Sequence, residues 1–290
     1  NRLLVSPRLL RLAGNLLWVY QASGMRALAE STGLLKSFGR LGRLAPLTPE
    51  AERPFFFDQI GKTFPAEGKR RYRVAFLAGC IANVCFARLN EATVRVLQKN
   101  GCDVVIPAGQ GCCGALHVHS GMREEARRLA RRNIDAIPAA DFDAIITNAA
   151  GCGSTLKEYH ELLADDSAYA ARAAAFSRAV RDVTEFLASI ELNRDMRPVR
   201  ATVTYQDSCH LAHGQRVRLA PRRLLQAVPG LEFRQMPLSD LCCGSAGIYN
   251  VVQSDMAAAI LAKKMESING TGADIIATAN PGCMLQLRAG

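Results

Sequence analysis

Long apolar runs, Cys-x-x-Cys pairs and nucleotide-binding loops are all missing from this 290-residue chain. The longest apolar runs fall well short of the roughly 20 residues that a membrane-spanning helix needs. Without a GxGxxG fingerprint or a P-loop, we expect no nucleotide or flavin on this chain. No basic face with interleaved aromatics and no known nucleic-acid module is found, which argues against nucleic acid as a partner. Structural zinc sites typically use CxxC pairs, so their absence disfavours such a site.

The composition is that of a globular protein large enough for two domains. Hydrophobic residues make up 49% of the chain and charged residues 21%, which is ordinary for packed domains. The net charge of +10 is uneven, because residues 1–70 carry 11 Lys and Arg against 5 Asp and Glu. The chain opens with Asn, shows no secretory signal peptide, and stops shortly after its last cysteine. We therefore expect a piece of a longer protein.

Eight of the ten cysteines form two frames with almost the same spacing. The first frame is Cys80, Cys112, Cys113 and Cys152, and the second frame is Cys209, Cys242, Cys243 and Cys283. Corresponding cysteines are 129 to 131 residues apart, and each adjacent pair is followed by glycine. Four thiolates are what a [4Fe–4S] cluster or a tetrahedral zinc ion requires. The repeat therefore predicts two metal or cluster sites.

Disulfides and packing are the alternatives for these thiols. Adjacent cysteines do not easily bridge each other, and a chain of this length needs no stapling. An adjacent pair is awkward for one tetrahedral zinc, so iron–sulfur is favoured, with zinc possible at one site. Cys85 and Cys102 have no counterpart in the other frame, and we expect both to be packing residues.

Strand-like and helix-like runs alternate from residue 71 onwards. Short apolar runs beginning near residues 73, 103, 143, 202, 231 and 274 predict strands, and helices are expected at 87–99, 122–137 and about 252–266. Alternating strands and helices indicate an α/β fold with parallel sheets. We predict a helical, basic N-terminal segment at 1–70, with a break at residues 44–50. The first domain is predicted at 71–165, an alanine-rich helical connector at 166–198 and the second domain at 199–290.

Each frame cysteine follows the end of a predicted strand by a few residues. The carboxyl ends of parallel strands share one edge of a sheet, where loops converge and ligands bind. Three loops of each domain could thus bring four thiolates together. Glycines flank most of these cysteines and permit close approach of backbone N–H groups to sulfur, which helps to set a cluster potential.

Longer stretches around the cysteines identify a family resemblance. They are Ala149-Ala-Gly-Cys-Gly153, Asp207-Ser-Cys-His-Leu-Ala-His-Gly214, Leu241-Cys-Cys-Gly-Ser-Ala-Gly-Ile-Tyr-Asn250 and Asn280-Pro-Gly-Cys-Met-Leu-Gln286. The two domains resemble the cysteine-rich CCG domain of heterodisulfide reductases, and together the stretches resemble iron–sulfur subunits of bacterial glycolate oxidase. The resemblance implies two tandem Rossmann-like CCG repeats related by pseudo-two-fold symmetry. It covers most of residues 71–290 and only loosely residues 1–70.

The sequence departs from these families at two places. Heterodisulfide reductase has a CxxC as its last ligand segment, but here Ala149 precedes Cys152 and Asn280 precedes Cys283 at that position. Four thiols per domain favour ordinary electron transfer over disulfide cleavage. The glycolate oxidase subunit usually begins with a ferredoxin-like domain carrying CxxCxxCxxxCP runs, and none occurs here, so we expect that domain in a missing segment.

By resemblance, the function is electron transfer within a quinone-linked glycolate dehydrogenase, a 2-hydroxy-acid oxidoreductase. A flavoprotein partner would carry FAD and oxidise the substrate, and the clusters would relay electrons towards membrane quinone. His210 and His213 are candidates to support the ligands from outside the first coordination shell. We expect a cytoplasmic location at the inner face of the plasma membrane. Lactate or glycerol-3-phosphate oxidation and a structural zinc protein are the alternatives.

Overall fold

The computed structural model describes residues 2–33, 39, 42 and 45–290. Part of the N-terminal prediction therefore lies outside the described residues, namely residues 1, 34–38, 40, 41, 43 and 44, including the start of the predicted break. The break continues in the described part as a short 3₁₀ turn at Ala45–Leu47. Among the described helices, none is long and apolar enough to cross a membrane.

The N-terminal helix Pro7–Ala22 lies against the first domain by one face only. It begins after Ser6, whose side chain accepts a hydrogen bond from the Leu9 N–H, and proline occupies its first position. Leu10 is buried, and a side chain at Gly14 would collide with Val84 and Phe55. A second set of apolar side chains on this helix stays exposed: Leu9, Leu12, Leu16 and Val19.

The first half of the molecule, residues 63–189, is built on a five-stranded sheet. Its strands are β1 (Thr63–Phe64), β2 (Tyr72–Phe76), β3 (Cys102–Val105), β4 (Ala144–Thr147) and β5 (Val180–Asp182). The order across the sheet is β1-β3-β2-β4-β5. Strands β2 to β5 are parallel, and only β1 runs antiparallel, at the edge.

This first sheet is buried on both faces. Val74 and Phe76 of β2 enter one apolar cluster, and Ala75 and Leu77 enter another. Successive side chains of a strand point to opposite faces, so a layer of helices covers each side. Such double coverage is expected of parallel sheets joined by helical crossovers.

The second half, residues 201–289, repeats the plan with a smaller sheet. Its strands are β6 (Ala201–Gln206), β7 (Leu231–Arg234) and β8 (Ile275–Thr278), in the order β7-β6-β8 and all parallel. The central strand β6 is well buried, but Ile275 and Ile276 of β8 are 42% and 36% exposed. The second sheet is therefore less completely covered than the first.

The helices follow the predicted alternation. In the described part they lie at Arg2–Val5, Pro7–Ala22, Met25–Ser31, Ala82–Cys85, Ala87–Lys99, Ala115–His119, Arg123–Ala136, Ala150–Lys157, Tyr159–Leu162, Ala170–Ala179, Val183–Ser189, Leu219–Ala227, Tyr249–Val252, Ser254–Asn269 and Pro281–Ala289. A turn of π-helix spans His210–Gly214. The α/β class and the tandem repeat predicted from the sequence are confirmed.

Two predicted helical regions also contain strands. The connector is predicted to be helical, but β5 interrupts it and joins the first sheet beside β4. The reason is that Val180 is a buried β-branched residue that pairs with Ile145. In the N-terminal segment, β1 likewise adds a strand that pairs with β3.

Candidate metal centre

All eight frame cysteines line a single cavity between the two halves. Its volume is about 240 Å³. The cysteines reach it from loops and helix starts beyond the carboxyl ends of the strands, as parallel sheets favour. The structure therefore brings the predicted site residues together. It also places both frames around one shared space.

The thiols of the first frame are in mutual contact. Hydrogen bonds from Cys113 and Cys80 lower the pKa of Cys112 well below its ordinary value. The same bonds, together with burial, raise the pKa of Cys80 and of Cys113, and Cys113 also contacts Cys152. The frame therefore favours one thiolate and resists ionisation of its neighbours unless a positive charge joins them.

The second frame shows the same behaviour. The hydrogen bond with Cys243, followed by burial, raises the pKa of Cys242. Cys283 has a lowered pKa, chiefly because Cys243 donates to it and despite its burial. Burial is the main cause of the raised pKa of Cys209, followed by the nearby Cys242. This frame, too, contains more thiols than it can ionise alone.

The glycine of each Cys-Cys-Gly motif has a conformation that other residues rarely adopt. Gly114 and Gly244 have φ angles of 86° and 89°, in the left-handed region. Their N–H groups donate to the sulfurs of Cys112 at 3.5 Å and Cys242 at 3.3 Å. A Cβ at Gly244 would also lie 2.5 Å from the carbonyl oxygen of Ala257. The backbone conformation therefore requires glycine at both positions, and lack of space also requires it at Gly244.

Two buried side chains hold the first Cys-Cys-Gly loop in place. Asn133 accepts from the Gly111 N–H at 2.9 Å and donates to the Cys112 carbonyl at 3.0 Å. It also donates to the Tyr159 hydroxyl, which in turn donates to the Cys113 carbonyl at 2.8 Å. Neither residue is among those predicted from the sequence, since a polar residue in a helix normally predicts an exposed position.

A different set of side chains holds the loop before the second Cys-Cys-Gly. The ammonium of Lys264 donates to the carbonyls of Leu238 at 2.9 Å and Ser239 at 2.8 Å. Asp207 accepts from the Ser239 hydroxyl at 2.7 Å and forms a two-pronged ion pair with Arg222 at 2.6 and 2.8 Å. These residues fix the loop that leads to Cys242, and no sequence signal singled them out.

The last ligand loops of the two frames are joined by hydrogen bonds. The Ala150 N–H donates to the Ala279 carbonyl at 2.9 Å, and the Gly151 N–H donates to the Asn280 side-chain oxygen at 3.0 Å. The amide nitrogen of Asn280 lies 3.7 Å from the Cys283 sulfur, within range of a hydrogen bond to it. Asn280 thus contacts both frames from the position where a CxxC would have a cysteine.

The histidines divide into those at the cavity and those away from it. The Nδ1 atom of His210 is 3.6 Å from the Cys209 sulfur, and the ring stacks on that of His119 across the two halves at 5.2 Å. His213 is exposed and accepts from Arg218 at 2.9 Å, so the structure does not bring this candidate to the thiols. His117 is buried, and neither of its ring nitrogens has a partner within the described residues.

The two cysteines outside the frames are packed in apolar clusters. Cys85 lies among Leu10, Phe55 and Val84, and Cys102 lies in the cluster on one face of the first sheet. Burial raises the pKa of each to about 12. Neither cysteine lines the cavity that the eight frame cysteines share, which agrees with a packing role.

The donor set fits an iron–sulfur cluster in each frame. Four thiols in contact, one of them readily ionised, need cations to stabilise the remaining thiolates, and iron supplies that charge. Backbone and side-chain N–H groups already point at several sulfurs, as cluster sites require. Across the described residues, no group of three or more His, Cys, Asp or Glu side chains is arranged to hold one metal ion.

Comparison with family models agrees with this geometry. Residues 74–157 and 203–288 each match the cysteine-rich CCG domain. Residues 1–48 match the linker region of the glycolate oxidase iron–sulfur subunit. The two matched domains contain the two frames in full.

Two relatives are named as glycolate oxidase iron–sulfur subunits, and a third is named for lactate utilization. The chain is 41% identical over 284 residues to the probable glycolate oxidase iron–sulfur subunit of Bacillus subtilis, covering 97% of this chain and 64% of that protein. It is 33% identical over 247 residues to the glycolate oxidase iron–sulfur subunit of Escherichia coli, covering 81% and 60%. It is 31% identical over 215 residues to lactate utilization protein A of Shouchella clausii, covering 74% and 89%.

The chain thus spans less than two thirds of the length of the first two of these relatives. The domain matches, however, cover more than half of the chain itself. The repeated thiol frames, the parallel sheets and these matches lead to one conclusion: the chain belongs to the cysteine-rich CCG-domain family and carries two such domains in tandem.

Proposed function

We propose that the chain is the electron-transfer region of the iron–sulfur subunit of a glycolate oxidase. Electrons from a partner flavoprotein, which would hold FAD and oxidise glycolate or a related 2-hydroxy acid, would pass through clusters held here towards membrane quinone. The observation that carries the proposal is the pair of four-thiol frames around one cavity. The names of the relatives from Bacillus subtilis and Escherichia coli support the choice of substrate.

Each frame would hold one [4Fe–4S] cluster. The cluster supplies the redox chemistry, and the protein supplies ligands, burial and hydrogen bonds. In the first frame, Cys112 and Cys113 are about 5% and 3% exposed, and in the second, Cys243 and Cys283 are about 3% and 4% exposed. Burial keeps water from these four sulfurs and lets nearby N–H groups act on the potential.

We propose a cytoplasmic location at the inner face of the plasma membrane, with helix Pro7–Ala22 facing the lipid. Its exposed apolar side chains, Leu9, Leu12, Leu16 and Val19, recur at helical spacing on one face. The surrounding segment is basic, and basic amphipathic helices bind the surface of anionic membranes. The double variant Leu12→Ser/Leu16→Ser should bind anionic vesicles at least several-fold more weakly than wild type. Equal binding would contradict the location.

Lactate oxidation is the second candidate. Lactate utilization protein A of Shouchella clausii is matched over 89% of its own length, a larger share than that of either glycolate oxidase subunit. The chemistry in this chain would be the same, since lactate is also a 2-hydroxy acid. Purification with the partner flavoprotein, followed by assay of electron transfer from glycolate and from lactate, distinguishes the two.

The direct test is the metal content of anaerobically purified protein. We expect roughly eight iron and eight sulfide per chain, from two four-iron clusters, and a visible absorbance that dithionite bleaches. Half these amounts would mean that one frame alone holds a cluster. Stoichiometric zinc without sulfide or colour would overturn the redox function and leave a structural protein.

A further inference from the structure

Lys264 is a fully buried cation beside the second frame. Its side chain is 0% exposed, and its ammonium is held by the carbonyls of Leu238 and Ser239, three to four residues before Cys242. Its charge acts to lower the pKa of the Cys242 thiol, against the larger effects of the hydrogen bond with Cys243 and of burial. The ammonium is therefore close enough to act electrostatically on the ligands.

The charge of Lys264 has no carboxylate of its own among the residues that the structure describes. Both of its hydrogen bonds there go to backbone carbonyls, and it forms no ion pair. Asp207, the first charge that acts on it, is already bound by Arg222 and by the Ser239 hydroxyl. Burying an ammonium without a counter-charge is costly, and burial accordingly lowers the pKa of Lys264.

The corresponding position in the first half is neutral. Lys264 and Asn133 are each the eleventh residue of the long helix that follows the Cys-Cys-Gly motif. The equivalence is supported by Ala126 and Ala257, each the fourth residue, which both pack on the motif's glycine. Both eleventh residues are buried and both bind the loop that leads into the motif. One is an amide and the other is a cation.

We propose that Lys264 is the built-in counter-charge of the second cluster and makes the second frame the site of higher reduction potential. The inference rests on the proposed cluster function. A thiolate-ligated cluster is negative and becomes more negative on reduction. A buried ammonium nearby stabilises the reduced state more than the oxidised one, because Coulomb interactions are strong away from water. The first frame has the neutral Asn133 in this place and gains no such stabilisation.

The order of the two potentials is the first test. In a redox titration of the full-length, cluster-loaded protein followed by electron paramagnetic resonance, we expect two reduction waves. The variant Cys209→Ser, which removes a ligand of the second frame, should abolish the wave at higher potential and leave the other. Loss of the wave at lower potential instead would overturn the inference. This test leaves Lys264 itself unchanged.

Substitution of the lysine is the second test. Lys264→Met keeps the length of the side chain and removes its charge, so the higher wave should shift to lower potential while the first-frame wave stays in place. Lys263→Met is the matched control, because Lys263 is exposed on the same helix and its charge is screened by water. A shift in Lys264→Met no larger than in the control would overturn the inference. If Lys264→Met fails to bind its clusters, the order of the two reduction potentials in Cys209→Ser becomes the test of the inference.

These outcomes separate the inference from the proposed function. Wild-type protein with no iron or sulfide would refute the function and, with it, the inference. Wild-type protein with both clusters but with the potentials in the opposite order would refute the inference alone.

Discussion

The two halves of the molecule have the same ligand frame in different surroundings. In the first half, β2 and β4 are largely buried under helices on both faces, and the loop before the cysteines is held by the neutral Asn133. In the second half, the outer strand β8 is partly exposed and the loop is held by Lys264. The repeat keeps the cysteines that would bind a cluster and changes the neighbouring residues that would set its reduction potential.

Equivalent positions in the two halves show what is shared and what differs. Gly114 and Gly244 share a conformation and a hydrogen bond to sulfur, because any other residue would disturb the ligands. Asn280, in contrast, offers an N–H to Cys283, whereas the first half has Ala149 at the equivalent position. Two clusters built from one motif can thus differ in potential without any difference in ligands.

The largest expected effect is the loss of one site without the other. Cys113→Ser and Cys243→Ser should each lower iron and sulfide by about half and abolish a different resonance signal, because each removes one of four ligands. Cys102→Ala, a packing cysteine outside the frames, should retain all of the iron. Loss of all iron in either serine variant would show that the two sites do not form independently.

Removal of Asn133 should destabilise the protein by roughly 3 kcal/mol or more. The Gly111 N–H, the Cys112 carbonyl and the Tyr159 hydroxyl lose a partner in Asn133→Ala, and each unsatisfied buried group costs about 1–3 kcal/mol. Guanidinium unfolding of the cluster-loaded protein, followed by circular dichroism, measures the change. The control is Asn269→Ala, at an exposed site in the second half; a similar loss there would contradict the assignment.

The contributions of two buried aspartates to the free energy of unfolding should change with pH in opposite directions. Burial raises the pKa of Asp182 to about 6, so the folded state holds this proton more tightly than the unfolded chain does. Stability from Asp182 is present below about pH 4 and falls by roughly 3 kcal/mol as pH rises through 6. Asp182→Asn, which can keep the helix cap to Thr184, should remove this dependence.

Asp207 in the second half is the contrasting case. Burial acts to raise its pKa, but the hydrogen bonds from Arg222 and Ser239 outweigh it and lower the value. Its stabilising effect is present above about pH 4 and is lost as pH falls through the folded pKa. Unfolding free energies measured from below pH 4 up to pH 7 should therefore diverge, with Asp207→Asn destabilised most above about pH 4. Parallel profiles for the two asparagine variants would refute this difference.

The smallest expected effect is at Asn280. Asn280→Ala introduces the residue that the first half has at position 149 and removes the N–H donor to Cys283. A hydrogen bond of roughly 1 kcal/mol corresponds to roughly 40 mV for one electron, so the second-frame potential should fall by about that amount. Asn148→Ala is the control, since Asn148 donates to Asn90 and Thr93, neither of which is a thiol. An equal shift in both variants would exclude a direct effect on sulfur.

Much of the fold could be predicted from local patterns. The helix Ala87–Lys99 is found as predicted, and β3 begins one residue before the predicted start, after Gly101. Apolar runs bounded by glycine are strong signals for buried parallel strands. The regular spacing of the cysteines predicted which thiols would line the site, because a repeated domain places equivalent loops at equivalent positions.

The rest depends on contacts that are distant in the sequence. Strand β5 is only three residues long, lies between two helices and has no glycine or proline at its ends, so nothing local marks it as a strand. Lys264 and Asn133 are polar residues in helices, and their burial follows from loops more than 20 residues earlier. The hydrogen bond between Gly151 and Asn280 joins residues 129 positions apart.

That last contact has a consequence for how the protein is made. The loop carrying Cys152 is completed by the Ala279 carbonyl and the Asn280 side chain. While the ribosome is still adding the second half, the first frame therefore lacks its final support, although domains often begin to fold during synthesis. Both clusters would then be inserted only after residue 280 has emerged, so that neither site matures as an isolated domain.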